Sequence, residues 1–197
     1  MKARSKKNNG TNGRQNQLRI IGGMWRGRKF SFPHAEGLRP TGDRIRETLF
    51  NWLAPHLTEA RVLDLFAGSA ALSLEAASRG AGQVTLVENN PLVCQQLQLT
   101  LDALSDSRLA LKQQDALQFL AEWRGEPFDV AFLDPPFNQQ LLDAVIPHLQ
   151  NPGLLARDAQ IYIETDIHEE LPELPPNWTL HREKRAGNVC YRLYQAN

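Results

Sequence analysis

Cysteine is scarce in this chain of 197 residues, which has only Cys94 and Cys190 and no Cys-x-x-Cys pair or Cys/His cluster. This excludes a predicted disulfide framework or metal site, and we interpret both cysteines as reduced, structural thiols in a cytoplasmic protein. The chain also lacks an apolar run of 18 residues, and no apolar stretch follows its basic N-terminus. We therefore expect neither a membrane span nor a secretory signal.

Acidic residues are missing from residues 1–29, a stretch that contains nine Lys and Arg. Through Arg46 the chain has 12 basic and two acidic residues, whereas the remainder has 10 basic and 20 acidic, so the net charge is zero. A segregated positive end predicts a polyanionic partner, most simply a nucleic acid. The alternative interpretation is a solvated, solubilising tail.

Three regions differ in composition along the chain. Residues 1–17 are basic and rich in Asn and Gly, which predicts a disordered tail. Residues 18–40 predict a basic β-hairpin extension, with strands at 18–21 and about 28–32 around a Gly22-Gly23 turn. Residues 41–197 form the predicted main domain, which opens with a helix capped by Thr41 or Asp43.

The main domain alternates apolar strand patterns with helical patterns. Strands are predicted at 62–65, 84–87, 109–111, 130–133 and 161–163, and helices near 70–78, 91–104, 116–122 and 139–149. This alternation predicts an α/β fold with a doubly wound, mostly parallel sheet. Two further strands around Ala186-Gly187-Asn188 predict an antiparallel C-terminal hairpin that completes seven strands.

The stretch V-L-D-L-F-A-G-S predicts a strand, a tight loop and the start of a helix, which is where such sheets bind ligands. Gly68, Ala70 and Ser73 stand where a dinucleotide fingerprint needs three glycines, and Asp64 would repel a pyrophosphate. An acid there favours a ligand with an ammonium group and no phosphate. S-adenosylmethionine is such a ligand.

Two more acids follow the next two predicted strands. Glu88 lies 20 residues after Gly68, where a carboxylate can accept both ribose hydroxyl hydrogens. Asp115 follows the third strand and is placed to meet the adenine amino group. Each acid alone is better explained as a helix cap, but three acids at the ends of three successive strands favour a cofactor site.

The fourth strand ends in D-P-P-F, Asp134 to Phe137. An exocyclic amine on a nucleobase is a poor nucleophile because its lone pair is delocalised into the ring. The Asp134 carboxylate and the Pro135 carbonyl can accept its two hydrogens and direct the lone pair at a methyl group. The prolines stiffen the backbone, and Phe137 offers a face for base stacking. The alternative is a turn that happens to contain two prolines.

These motifs, together with R-I-I-G-G-M-W-R-G-R-K and L-R-P-T-G-D-R-I-R-E, resemble the bacterial 16S rRNA guanine-N2 methyltransferase family that acts on guanine 966. The resemblance covers residues 18–194 and implies a class I methyltransferase fold that uses S-adenosylmethionine. The chain departs from the family at Ala70 and Ser73, where glycine is usual. Both residues are small, so we expect the cofactor site to be retained and only its affinity to be sensitive to the change. The implied cofactor positions are Asp64, Phe66, Gly68, Ser69, Glu88, Asn89, Asp115 and Ala116, and the implied catalytic positions are Asp134, Pro135, Pro136 and Phe137.

The partner implied by the resemblance is 16S rRNA, free or within a small ribosomal subunit, and we expect a monomer. The predicted RNA-binding residues lie in the basic N-terminal region: Arg19, Trp25, Arg26, Arg28, Lys29, Arg39 and Arg44. Arg39, Arg44 and Arg46 have an alternative structural role in ion pairs. Two other functions stay open, namely methylation of a DNA base or protein glutamine, and RNA binding without catalysis.

Overall fold

A computed structural model of the chain describes residues 16–32, 41–136 and 141–197. A small hairpin pairs β1 (Asn16–Arg19) with β2 (Lys29–Phe32) antiparallel. Residues 1–15 of the predicted tail lie outside the described residues, and Asn16 and Gln17 belong to β1. The main domain follows with α1 (Asp43–Leu53), β3 (Arg61–Asp64), α2 (Ala71–Ser78), β4 (Gln83–Glu88), α3 (Pro91–Leu104), β5 (Leu109–Gln113), α4 (Ala116–Glu122), β6 (Phe128–Leu133), α5 (Leu141–Leu149), β7 (Leu155–Asp166), β8 (Trp178–Ala186) and β9 (Val189–Ala196).

Seven strands form one sheet in the order β5-β4-β3-β6-β7-β9-β8. The pairs from β5 to β7 are parallel, whereas β9 runs antiparallel to both β7 and β8. The predicted doubly wound sheet with a C-terminal antiparallel hairpin is confirmed. Strand order reverses between β3 and β6, and a crevice for ligands opens at such a point. No helix in the described ranges is long and apolar enough to span a membrane.

Both faces of the sheet are covered, which explains the continuous apolar runs of its central strands. Val62 and Val130 face a core that contains α1, α2, α3 and the hairpin, while Leu63 and Ala131 face a second core against α4 and α5. Because side chains alternate along a strand, Asp64 projects to the same side as Val62. The acid that ends β3 therefore lies on the side covered by α1 and α2.

The hairpin closes through residues 20–28 and not through the predicted tight turn at Gly22-Gly23. Gly23 has a φ of +75°, and a Cβ atom there would lie 1.8 Å from the Ser78 carbonyl oxygen. The Ser78 hydroxyl donates to the Gly22 carbonyl at 2.6 Å and accepts from the Trp25 N–H at 2.9 Å. The glycines thus allow the loop to lie directly on α2.

Glu75, a fully buried residue of α2, fixes the hairpin to the main domain. Its carboxylate accepts hydrogen bonds from the Ile21 N–H at 2.9 Å and the Gly22 N–H at 2.7 Å. It also accepts from Arg79 Nε at 2.8 Å and Arg46 Nη1 at 3.3 Å. A buried charge is stable only when it is paired in this way, so the hairpin and the helix are built around each other.

Helix α1 begins at Asp43 after Gly42, and no side chain caps it. The predicted cap by Thr41 or Asp43 is therefore wrong. Asp43 instead accepts hydrogen bonds from Arg46 at 2.6 Å and from Arg19 at 3.3 Å. Thr41 donates to Asp134. Both side chains have tertiary partners that a local capping pattern does not reveal.

Candidate active site

The carboxyl ends of β3, β4 and β6 lie side by side and carry Asp64, Glu88 and Asp134. The register aligns Asp64 with Leu86 of β4 and with Phe132 of β6, two residues before Glu88 and Asp134 respectively. Among the described residues, no ion pair involves any of these three acids. The predicted row of carboxylates thus meets at the strand ends, and no positive side chain in the described part of the chain pairs with it.

The loop after β3 turns sharply into α2. Gly68 and Ala70 have φ values of 50° and 58°, and the Ala70 N–H donates to the Ala67 carbonyl at 2.6 Å. Glycine adopts a positive φ freely, whereas a residue with a Cβ is strained there by about 1 kcal/mol or more. Ala70 therefore occupies a position whose backbone favours the glycine that is usual in the family it resembles.

Ser73 has a role that a glycine could not fill. Its hydroxyl donates to Asp64 Oδ2 at 2.6 Å, and both side chains are buried. Burial raises the pKa of Asp64 to about 6, although the Ser73 hydroxyl opposes that rise by stabilising the carboxylate. Asp64 consequently remains mostly ionised at neutral pH.

The Glu88 carboxylate is fixed by two backbone N–H donors, one in the loop after β3 and one just after β4. One carboxylate oxygen accepts from the Gly68 N–H at 3.0 Å, and the other accepts from the Asn90 N–H at 2.8 Å. A carboxylate oxygen has two lone pairs, so each can accept a second hydrogen bond. Glu88 thus ties the loop after β3 to the start of α3 while keeping capacity for two hydroxyl donors.

We expect Glu88→Ala to weaken S-adenosylmethionine binding by about 1.5–3 kcal/mol, the scale of a hydrogen bond to a charged group. Titration calorimetry measures this directly. Glu126→Ala, which removes an exposed acid from the loop before β6, is the matched control and should leave affinity unchanged. Equal affinity for wild type and the Glu88 variant would reduce Glu88 to a structural residue.

The other predicted cofactor residues follow the carboxyl ends of β3, β4 and β5. Asp115 caps α4 through Oδ1, which accepts from the N–H groups of Leu117 at 2.9 Å and Gln118 at 3.3 Å. The helix-cap interpretation therefore accounts for one of its oxygens. Phe66 is half-buried, Ser69 and Ala116 are buried, and Asn89 is exposed.

Asp134 follows directly after β6 and is half-buried, with a buried Pro135 and an exposed Pro136 behind it. Thr41 donates its hydroxyl hydrogen to Asp134 Oδ2 at 3.0 Å. Burial and then the negative charge of Glu164 raise the pKa of Asp134 well above its usual value. Phe137 lies outside the described residues.

Two buried residues of β7 belong to this site and were missed from the sequence. Glu164 accepts a hydrogen bond from the Tyr162 hydroxyl at 2.6 Å, and burial raises the Glu164 pKa to about 6. Both residues alternate with Ile161 and Ile163, so they project toward the same face of the sheet. The strand predicted at 161–163 ends before Glu164, whereas β7 continues to Asp166. The alternation of Ile161 and Ile163 with Tyr162 and Glu164 was a signal in the sequence that one face of this strand is polar.

The residues of the predicted RNA-binding region, with Arg46 beside them, are of three kinds: buried, outside the described residues, and exposed. Trp25 is buried at 6% exposure, with the Arg108 guanidinium 5.9 Å from its ring centroid, so it is a packing residue of the hairpin and not a surface aromatic. Arg46 is also buried, which agrees with its alternative structural role. Arg39 lies outside the described residues. The exposed residues are Arg19, Arg26, Arg28, Lys29 and Arg44.

The sequence profile of a family described as Conserved hypothetical protein 95 matches residues 18–195. Ribosomal RNA small subunit methyltransferase D of Escherichia coli (strain K12) is 52% identical over 179 residues, covering 91% of this chain and 90% of the relative. The chain belongs to the ribosomal RNA small subunit methyltransferase D family. The Haemophilus influenzae member is 47% identical over 182 residues, covering 91% of this chain and 94% of that protein.

Solved structures agree with this family membership. Escherichia coli yhhF is 50% identical and superposes with a TM-score of 0.83. The match covers 92% of this chain and 99% of the yhhF chain. An RNA methyltransferase from Salinibacter ruber in complex with S-adenosyl-L-homocysteine superposes with a TM-score of 0.62 at 14% identity, over 80% of this chain and 94% of its own. That second likeness shows the fold, which is the class I methyltransferase sheet.

Proposed function

We propose that this protein transfers a methyl group from S-adenosylmethionine to the exocyclic N2 of a guanine in 16S rRNA, with guanine 966 as the target. The observation that carries the proposal is Asp134, a carboxylate without a described cationic partner at the strand end beside the topological switch point. Family membership supports the methyltransferase activity and the small-subunit rRNA substrate. The guanine position rests on the resemblance of the N-terminal motifs.

Asp134 performs its task by accepting hydrogen bonds. Its Oδ2 is held by Thr41, which leaves Oδ1 to accept one N–H of the amine. The Pro135 carbonyl accepts the other N–H, and the two acceptors favour a tetrahedral nitrogen whose lone pair points into the crevice. Because the methylated amine becomes acidic, it can lose its proton late and no strong base is required. Positioning and preorganised charge supply most of the acceleration.

The donor set of the crevice suits S-adenosylmethionine. Asp64 would bind its ammonium group, and Glu88 would accept hydrogen bonds from its ribose hydroxyls. Gly68 has no side chain, so the cofactor could approach the backbone of the loop closely. When bound, the cofactor supplies an electrophilic methyl group on a sulfonium. Three carboxylates free of described ion pairs disfavour a phosphate-bearing cofactor and favour a cationic one.

The exposed basic residues of the hairpin are proposed to bind the phosphate backbone of the RNA. We propose that the basic hairpin extension, predicted at residues 18–40, binds the RNA and that residues 41–197 are the methyltransferase domain. The described part of the hairpin begins at Asn16 and shares one hydrophobic core with that domain. We also propose that the enzyme acts as a cytoplasmic monomer, on 16S rRNA that is free or within an assembling small subunit.

Replacing Arg26, Arg28 and Lys29 together with alanine should weaken RNA binding and flatten its salt dependence. Each phosphate contact contributes about 0.7–0.9 to the slope of log affinity against log salt, so we expect the slope to fall by about two. Filter binding or fluorescence anisotropy over a salt series measures this. Cofactor affinity should not change, because these side chains are exposed and the crevice acids are untouched.

The control variant for this experiment combines Arg124→Ala with Arg157→Ala. Both residues are exposed and lie near the amino ends of β6 and β7, opposite to the edge that carries the crevice. Its RNA affinity and salt slope should match those of the wild type. If the hairpin variant also matches the wild type, the positive end is a solubilising region and RNA binds elsewhere.

Transfer of a tritiated methyl group to in vitro transcribed 16S rRNA, followed by nucleoside analysis, tests the proposed function. We expect N2-methylguanosine as the labelled product. DNA and protein are offered as acceptors in parallel reactions. Labelling of a DNA base or of a protein glutamine, with none in the rRNA, would replace the proposal with one of the alternative substrates. If S-adenosylmethionine failed to raise the melting temperature at saturation, the protein would be an RNA-binding factor without catalysis.

A further inference from the structure

Thr41 lies at the junction between the hairpin region and the main domain, yet its side chain contacts the crevice. Its hydroxyl donates to Asp134 Oδ2 at 3.0 Å across 93 positions of sequence, and the residue is only 7% exposed. It takes no part in capping α1, which begins two residues later. The hydrogen bond to Asp134 is therefore the described role of this hydroxyl.

A carboxylate at a strand end needs such a partner to keep one orientation. The χ2 torsion of aspartate is broad and roughly two-fold, so strand geometry alone does not fix where its oxygens point. Within the described ranges, the ionisable groups that face Asp134 are Asp64 of β3 and Glu164 and Tyr162 of β7. None of them is a cation that could orient an ionised carboxylate. The Thr41 hydroxyl supplies a directed donor.

We propose that Thr41 is a positioning residue for the methyl-transfer step, holding Asp134 Oδ2 so that Oδ1 faces the target amine. The inference rests on the proposed function, in which Asp134 accepts an N–H of that amine. Thr41 does not contact the substrate in this scheme and acts only through Asp134. Misplacing a group by about 1 Å can reduce a rate about 100-fold, so one hydrogen bond of this kind is sufficient to matter.

Arg46 fixes Thr41 and connects it to the hairpin. Its Nε donates to the Thr41 carbonyl at 3.1 Å, and its Nη2 donates to the Arg19 carbonyl of β1 at 2.9 Å. The guanidinium is fully buried, so both contacts are made in a medium that penalises their loss. The backbone of the proposed RNA-binding hairpin and the backbone of Thr41 therefore share one anchor.

Thr41→Val removes the hydroxyl at nearly constant volume, and Thr41→Ser restores it. We expect the Val variant to lower kcat about 10- to 100-fold, while affinity for S-adenosylmethionine stays unchanged and Thr41→Ser retains most of the activity. Thr48→Val is the control, because it removes a hydroxyl that donates within α1 to the Arg44 carbonyl, and its kcat should equal that of the wild type. If the Val variant does not fold, Thr41→Ala replaces it.

The pH profile of kcat separates positioning from a merely structural role. The hydroxyl stabilises the ionised form of Asp134, so its removal raises the pKa of that carboxyl. The ionised carboxylate is a much stronger acceptor for an N–H than the neutral acid, so activity falls as pH drops through the Asp134 pKa. The acid limb of the profile should therefore move to higher pH in Thr41→Val and return in Thr41→Ser.

Asp134→Ala is measured alongside to separate the two hypotheses. If it is inactive while Thr41→Val keeps the wild-type kcat and pH profile, the role of Thr41 is overturned and the proposed function stands. A lower kcat with an unmoved pH profile, or an equal loss in Thr41→Ser, would also overturn it. If Asp134→Ala is fully active, Asp134 has no part in the transfer, and the inference about Thr41 fails with it. The proposed function itself fails only if the wild type yields no N2-methylguanosine.

Discussion

Asp134→Ala should abolish methyl transfer, with kcat reduced by about 10²- to 10³-fold or more, the range for removing one preorganised hydrogen-bonding group from an active site. The reason is that the variant loses the acceptor beside the switch point of the sheet. Affinity for S-adenosylmethionine should be nearly intact, because the proposed partner of Asp134 is the amine of the RNA. Single-turnover kinetics and calorimetry measure the two quantities separately.

Asp134→Asn is the isosteric companion to this variant. It keeps one acceptor oxygen, so we expect partial activity between those of the wild type and Asp134→Ala. Because burial and Glu164 raise the pKa of Asp134, wild-type activity should rise with pH as this group ionises. That contribution to the acid limb should vanish in Asp134→Asn, which cannot ionise. Wild-type kcat in Asp134→Ala would remove Asp134 from the mechanism.

Glu75→Ala should destabilise the protein by about 3–5 kcal/mol, the cost of removing one member from a buried ion-pair network. Arg46 is fully buried and would lose the carboxylate 3.3 Å from its Nη1, and the N–H groups of Ile21 and Gly22 would lose their acceptor. For a chain of this size the loss corresponds to about 6–20 °C in Tm. Urea unfolding gives the free energy, and limited proteolysis reports release of the hairpin.

Glu183→Ala is the matched control for this stability experiment. Glu183 pairs with Arg192 Nε at 2.7 Å, but its side chain is 38% exposed, and such surface pairs contribute about 0–1 kcal/mol. Glu75→Gln keeps the shape and an acceptor oxygen and should fall between the two. A Glu75→Ala variant that unfolds within 1 kcal/mol of the wild type, as the control is expected to, would show that the hairpin is not anchored by this network.

Local sequence patterns were sufficient to predict the parallel sheet and the positions of the acids at its strand ends. Val130 to Leu133 form a continuous apolar run because β6 is covered on both faces, and the run ends where Asp134 begins. Parallel strands with helical crossovers align their carboxyl ends, so the sequence alone places Asp64, Glu88 and Asp134 at one edge of the sheet. The hydrophobic periodicity and the order of strands and helices along the chain were sufficient to predict this arrangement.

Only the tertiary structure decided which side chains contact these acids. The Thr41 hydroxyl, 93 positions away, meets Asp134, and Ser73, which looked like a small replacement for glycine, donates to Asp64. Trp25 and Arg46 belong to the basic N-terminal region that the sequence predicts to be exposed, yet both are buried because the hairpin lies on α2. Such pairings depend on how separate elements pack, and neither periodicity nor capping propensity encodes a contact between residues that are distant in the chain.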